Sequence, residues 1–172
     1  PGNSEAKIAL KTLKKPNKNE LNFLINLYSK GMFQQAIDMA EKLLMIYPES
    51  ITLHNISGAS HAGLLQFKQA EGFFRRAIKI KPDYAEAYYN LGSVLRDKGD
   101  TKVAVEYFKK AIKIKPEYSE AYFNLGNVLR DEGETTIAIK YFRKAIKIKP
   151  DYAAAHNNLG NILMDKGDLE AS

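Results

Sequence analysis

Apolar and polar positions along this chain alternate in blocks that recur every 34 residues. Residues 85–118 (AEAYYNLGSVLRDKGDTKVAVEYFKKAIKIKPEY) and 119–152 (SEAYFNLGNVLRDEGETTIAIKYFRKAIKIKPDY) agree at 23 of 34 positions without a gap. A third copy, 51–84, keeps Gly58, Ala70, Phe74, Ala77 and Pro82 in register, and a fourth, 17–50, keeps Gly31, Ala36 and Pro48. A fifth begins at 153 and stops mid-pattern at 172. Inside a block the period is helical. The alanine, tyrosine, leucine, glycine and valine at positions 3, 4, 7, 8, 10 and 11 of each block fall on one continuous arc of a wheel turning about 100° per residue. Each block therefore predicts two helices. Gly99, Gly133 and Gly167, at position 15, suit a left-handed residue closing the first. Asp100 and Asp168, and Glu134 or Thr135 in the fourth block, fall where the second needs its N-cap. Lysines crowd the end of the second helix and Pro82, Pro116 and Pro150 stop it. The resulting division is a leader or capping helix at 1–16, repeats at 17–50, 51–84, 85–118 and 119–152, and a partial repeat at 153–172. The leader carries Ile8, Leu10 and Leu13.

An aromatic, leucine, glycine, alanine, aromatic, alanine and proline at fixed offsets resemble the tetratricopeptide repeat. They are Tyr88, Leu91, Gly92, Ala104, Phe108, Ala111 and Pro116 in one block, and Tyr122, Leu125, Gly126, Ala138, Phe142, Ala145 and Pro150 in the next. The resemblance covers 17–172 and implies an all-α fold, a right-handed superhelical solenoid of antiparallel helix pairs. The first repeat departs most, with Glu20, Leu24 and Ala40 where an aromatic, a small residue and an aromatic are usual.

Opposite the packing arc, positions 2, 5, 6, 9, 12 and 13 share a polar arc about 120° wide. The resemblance turns this arc toward a concave groove. It carries Glu86, Tyr89, Asn90, Ser93, Arg96 and Asp97 in the third repeat, and Glu120, Phe123, Asn124, Asn127, Arg130 and Asp131 in the fourth. The fifth supplies Asn157, Asn158 and Asn161. Asparagine at position 6 recurs as Asn90, Asn124 and Asn158, although helix stability gives no reason to choose it. A carboxamide both donates and accepts, so a column of them suits the alternating N–H and C=O groups of an extended peptide. Tyr89 and Phe123 would add stacking, and Arg96, Arg130, Asp97 and Asp131 a sequence preference. The ladder is similar to that of O-linked N-acetylglucosamine transferases, where matching asparagines hold substrate peptides. Asparagines bridging one first helix to the next are the structural alternative, and the two uses can coexist. Glu86 and Glu120 disfavour a cationic clamp for a terminal carboxylate.

Composition narrows this little. An apolar fraction of 45% excludes the signature of disorder, and the absence of cysteine excludes disulfides and thiol nucleophiles. No apolar run approaches the length of a membrane span, so a soluble protein is expected, with the cytoplasm as default. The net charge is +6, and Lys79, Lys81, Lys113, Lys115, Lys147 and Lys149 recur as IKIKP. Helix-dipole compensation explains these lysines with fewer assumptions than a nucleic-acid stripe. The 34-residue period also counts against a pentatricopeptide-type RNA reader. His54 and His61 stand about 10.5 Å apart along one helix and cannot share a metal. Asn55-Ile56-Ser57 reads as a chance glycosylation match, and no phosphate loop or nucleophile elbow occurs.

The expected function is a non-catalytic scaffold that holds a protein or peptide partner, without cofactor or metal. The alternative is the recruiting arm of a larger enzyme such as a glycosyltransferase. The start at Pro1 and the stop at Ser172 suggest a piece of a longer polypeptide. Its packing face around Leu159 and Leu163 is expected to self-associate.

Overall fold

A computed structural model describes residues 15–170, without the side chains at 165, 166 and 168–170. Among the described residues there are nine helices and no strand: α1 (Lys18–Ser29), α2 (Phe33–Ile46), α3 (Ile51–Gly63), α4 (Phe67–Ile80), α5 (Ala85–Asp97), α6 (Thr101–Ile114), α7 (Ser119–Asp131), α8 (Thr135–Ile148) and α9 (Ala153–Glu170). The fold is all-α, as the sequence implied. The chain divides into two compact units, Pro1–Val94 and Leu95–Ser172, with the boundary inside α5. Ile8, Leu10 and Leu13 of the expected leader lie outside the described residues.

In the first unit, a capping box starts α1. The Asn17 side chain accepts from the Glu20 N–H at 2.9 Å, and the Glu20 carboxylate accepts from the Asn17 N–H at 2.8 Å. Two of the otherwise unsatisfied N-terminal donors are thereby paired. Gly31 then takes φ +72°, and the Met32 N–H closes the turn on the Leu27 carbonyl at 3.0 Å. The same closure recurs between α3 and α4, where Gln66 donates to His61 at 2.9 Å. There the left-handed residue is Leu65, at φ 59°. An L side chain in that region costs about 1–2 kcal/mol. Leu24, Leu27, Ala36, Ala40, Leu43, Tyr47 and Leu53 form the core between α1, α2 and α3.

In the second unit, Gly99 (φ +89°) and Gly133 (φ +84°) turn the chain as expected from their position in the repeat. Asp100 and Glu134 do stand at the N-caps of α6 and α8, but neither side chain makes a capping bond. At ψ near 50° these residues are not in the extended conformation that aims a cap side chain at the first turn. Asp100 instead meets Lys98 at 3.5 Å. The expected boundary at Gly167 and Asp168 is not there. α9 continues through both to Glu170. Gly167 thus takes a helical place and does not turn the chain as Gly99 and Gly133 do at the same repeat position.

One contact fixes how closely the paired helices approach. A Cβ added to Gly126 of α7 would lie 2.8 Å from the Phe142 ring of α8, and one added to Gly58 of α3 would lie 2.7 Å from the Phe74 ring of α4. Both rings are almost wholly buried, at 0% and 1% exposure. Glycine is required because the ring occupies the space a side chain would need. Burying each phenylalanine contributes about 1.5–3 kcal/mol. Along α5, Ala87, Leu91, Val94 and Leu95 are buried, so the predicted packing arc is the observed one, and the opposite arc is left for other work.

Candidate functional site

The polar arc belongs to the first helix of each pair, and the structure shows how its asparagines are used. In the first unit, Asn90 Nδ2 of α5 donates to Asn55 Oδ1 of α3 at 2.9 Å. In the second, Asn158 Nδ2 of α9 donates to Asn127 Oδ1 of α7 at 2.7 Å. α3 and α5 in the first unit, and α7 and α9 in the second, are therefore tied by carboxamide pairs, all four side chains being half-buried. Each bridge uses one N–H and one oxygen lone pair, so most of the hydrogen-bonding capacity of both amides is unspent. Asn55 is the residue that sequence reasoning missed. Its position 5 lies on the polar arc, but Ile56 interrupts the asparagine series next to it.

The remaining arc residues divide by chemistry. Arg96 brings both Nε (2.9 Å) and Nη2 (2.8 Å) to Oδ1 of Asp97, and Arg130 does the same to Asp131 at identical distances. These are neighbouring exposed pairs, worth about 0–1 kcal/mol, so a partner could exchange them cheaply. The Ser93 hydroxyl donates to the Tyr89 carbonyl at 3.1 Å, which leaves the half-exposed Tyr89 ring in place on the arc. Phe123 is different. Its ring packs at 4.9 Å from Tyr152 and 5.8 Å from Phe142, joining the core around Phe142 and Ile162. Position 5 sits at the edge of the polar arc, and an apolar ring there turns toward the packing side. Asn124 is half-buried on α7, and Asn161 is exposed on α9.

His54 and His61 serve the packing, both being buried, whereas His156 is exposed. His54 Nε2 is 2.8 Å from the Pro48 carbonyl, and His156 Nε2, at the same repeat position, is 2.9 Å from that of Pro150. His61 Nδ1 meets Gln66 Oε1 at 2.6 Å and its ring stacks on Phe73, centroids 5.2 Å apart. Burial lowers the His54 pKa; the Pro48 hydrogen bond opposes this, Arg76 adds to it, and Glu49 opposes it. Burial also raises the Tyr84 and Tyr122 phenols, with Glu86 and Tyr141 adding to it respectively, so both stay neutral. Among the described residues, no helix is long and apolar enough to cross a membrane.

Paired helices with an apolar seam and a polar arc opposite it define a helical-repeat scaffold. More narrowly, the chain carries tetratricopeptide repeats: family models described as "Tetratricopeptide repeat" match 85–118 and 107–140, and one described as "TPR repeat" matches 126–167. Among solved structures, a crystal structure of MamA is similar at TM-score 0.73 and 28% identity, covering 83% of each chain. A crystal structure of YrrB, described as a TPR protein with an unusual peptide-binding site, is similar in fold at TM-score 0.67 and 24% identity, over 94% of this chain and 83% of that one. The peroxisomal targeting signal receptor of Candida albicans is 33% identical over 79 residues, which is 46% of this chain and 13% of the receptor. The chain spans between 4% and 13% of the length of the curated relatives it matches.

Proposed function

We propose that this chain is a non-catalytic, cytoplasmic protein-interaction scaffold whose first-helix arc holds an extended peptide, chiefly by its backbone. The observation that carries this reading is the set of carboxamides on the arc: Asn127 and Asn158 are already oriented by one mutual bond and keep further donors and acceptors for a ligand. A carboxamide held in this way loses little rotamer freedom when a peptide arrives, which improves the return on each new hydrogen bond. Each such bond contributes about 0.5–1.5 kcal/mol net, so several give modest affinity with low sequence specificity. The Arg130–Asp131 pair, and Tyr89 with Arg96–Asp97, supply the polar and aromatic contacts that discriminate between peptides. A relative named as a targeting signal receptor supports recognition of protein segments by repeats of this kind.

The test is to replace Asn124, Asn127 and Asn158 by alanine and measure binding to an arrayed peptide library. Affinity is expected to fall about tenfold or more, in keeping with the loss of two or three hydrogen bonds, while far-UV circular dichroism stays unchanged. Undiminished binding by a folded triple variant overturns the proposal. A second variant, Asn90→Ala, asks whether the Asn55–Asn90 pair in the first unit acts in the same way.

A further inference from the structure

We infer that the outer face of α8 is a second interaction surface, built to dock an acidic polypeptide segment. Thr136, Ile137, Lys140, Arg143, Lys144 and Lys147 share an arc about 120° wide on this helix, and all six are exposed. The helix contains these four cations and no acidic residue.

Neutralising the helix dipole does not account for them. That effect is confined to the last turn, which holds only Lys147 of the four. Lys140, Arg143 and Lys144 lie further upstream, and the spacings Lys140 to Lys144 and Arg143 to Lys147 are both i,i+4. Like charges at that spacing destabilise a helix by about 0.2–0.5 kcal/mol per pair. The arrangement therefore works against the helix that carries it.

The other repeats show what is missing. On α4, Glu71 meets Arg75 at 2.8 Å, and on α6, Glu106 meets Lys109 at 3.3 Å. The corresponding repeat positions on α8 are Ile139 and Lys140. Among the described residues, no ion pair engages Lys140, Arg143 or Lys147, and the Lys144 ammonium lies 6.0 Å from the Tyr122 ring. A partner whose carboxylates repeat at helical spacing would supply across an interface what Glu71 and Glu106 supply within their own helices.

The chemistry of the arc selects among polyanions. Ile137, 40% exposed, is its one apolar side chain, which gives a bilayer no anchor beyond charge. It has no aromatic platform for an unstacked base, since the neighbouring Tyr141 is half-buried with its ring 6.1 Å from that of Tyr122. An acidic polypeptide fits this surface best.

The test uses the whole chain and a short fluorescein-labelled peptide rich in glutamate and aspartate, followed by fluorescence anisotropy. Binding is expected at low salt and should weaken about tenfold or more between about 50 and 300 mM salt. The variant Lys140→Glu/Arg143→Glu/Lys144→Glu should abolish it with no loss of helix content. Reversing Lys109 and Lys113 on α6, beside Glu106, should reduce it only a few-fold. The charge-keeping variant Lys140→Arg/Lys144→Arg should retain it. Unaltered peptide binding by the α8 reversal overturns the inference. So does tighter binding of oligouridine or of phosphatidylserine vesicles that the same reversal removes, because the surface then serves a different polyanion.

Discussion

In the second unit, the crossing of α7 and α8 rests on Gly126 beneath Phe142, whereas α1 and α2 of the first unit place Leu24 and Ala40 at the same two repeat positions, with the sizes exchanged. All four residues are buried, and Leu24, Ala40 and Phe142 are at 0% exposure. A glycine with a phenylalanine and a leucine with an alanine have nearly equal summed volume, so the first repeat breaks the sequence motif while keeping the close packing that the motif serves. The comparison sharpens on the facing surfaces. α7 packs with Tyr122, Leu125, Val128 and Leu129, but α3 uses His54, Ser57, Ser60 and His61 at those positions. His54 Nδ1 and the hydroxyls of Ser57 and Ser60 are buried without a hydrogen-bond partner. The first unit therefore folds around a polar seam that the second lacks, and its margin should be smaller.

The largest effect that can break this comparison is Phe142→Ala, expected to cost about 3–5 kcal/mol in urea unfolding by opening a cavity over Gly126. Adding Gly126→Leu should then restore a good part of that loss, because it rebuilds the solution of the first repeat. A double variant less stable than Phe142→Ala alone would show that the exchange depends on its surroundings and not on volume. Next in size, Ser57→Ala and Ser60→Ala should each raise stability by about 1 kcal/mol, since each removes a buried hydroxyl with no partner and installs a better helix former. A loss on either substitution would reveal a hydrogen bond that the hydroxyl does make. The smallest effect is electrostatic. With its folded-state pKa lowered, His54 binds fewer protons folded than unfolded at pH values between the two pKa values. Stability should accordingly fall as pH drops below about 6.5, the ordinary imidazole value, and be fully present above it. His54→Gln should flatten that part of the Tm-against-pH curve, and an unchanged slope would place the titrating group elsewhere.

Most of the architecture was legible in the sequence because it depends on local, repeated demands. The 3.6-residue periodicity, the position-15 glycines and the prolines predicted helices that form where expected. The same residues could not predict the fate of Gly167, since glycine permits a left-handed turn without requiring one, and α9 runs through it. Nor could they show that Asp100 and Glu134 would occupy cap positions without capping, because that depends on a backbone angle set by the turn. The sequence alone thus determined the repeat, the helix pairing and the separation of a packing arc from a polar one, all of which follow from spacing. Tertiary structure decided which arc asparagines pair (Asn55 with Asn90, Asn127 with Asn158), that Phe123 turns to the core, and that Leu24 and Ala40 substitute for a glycine and a ring. Those outcomes depend on distances between residues about a full repeat or half a repeat apart in the chain, and only packing brings such residues together.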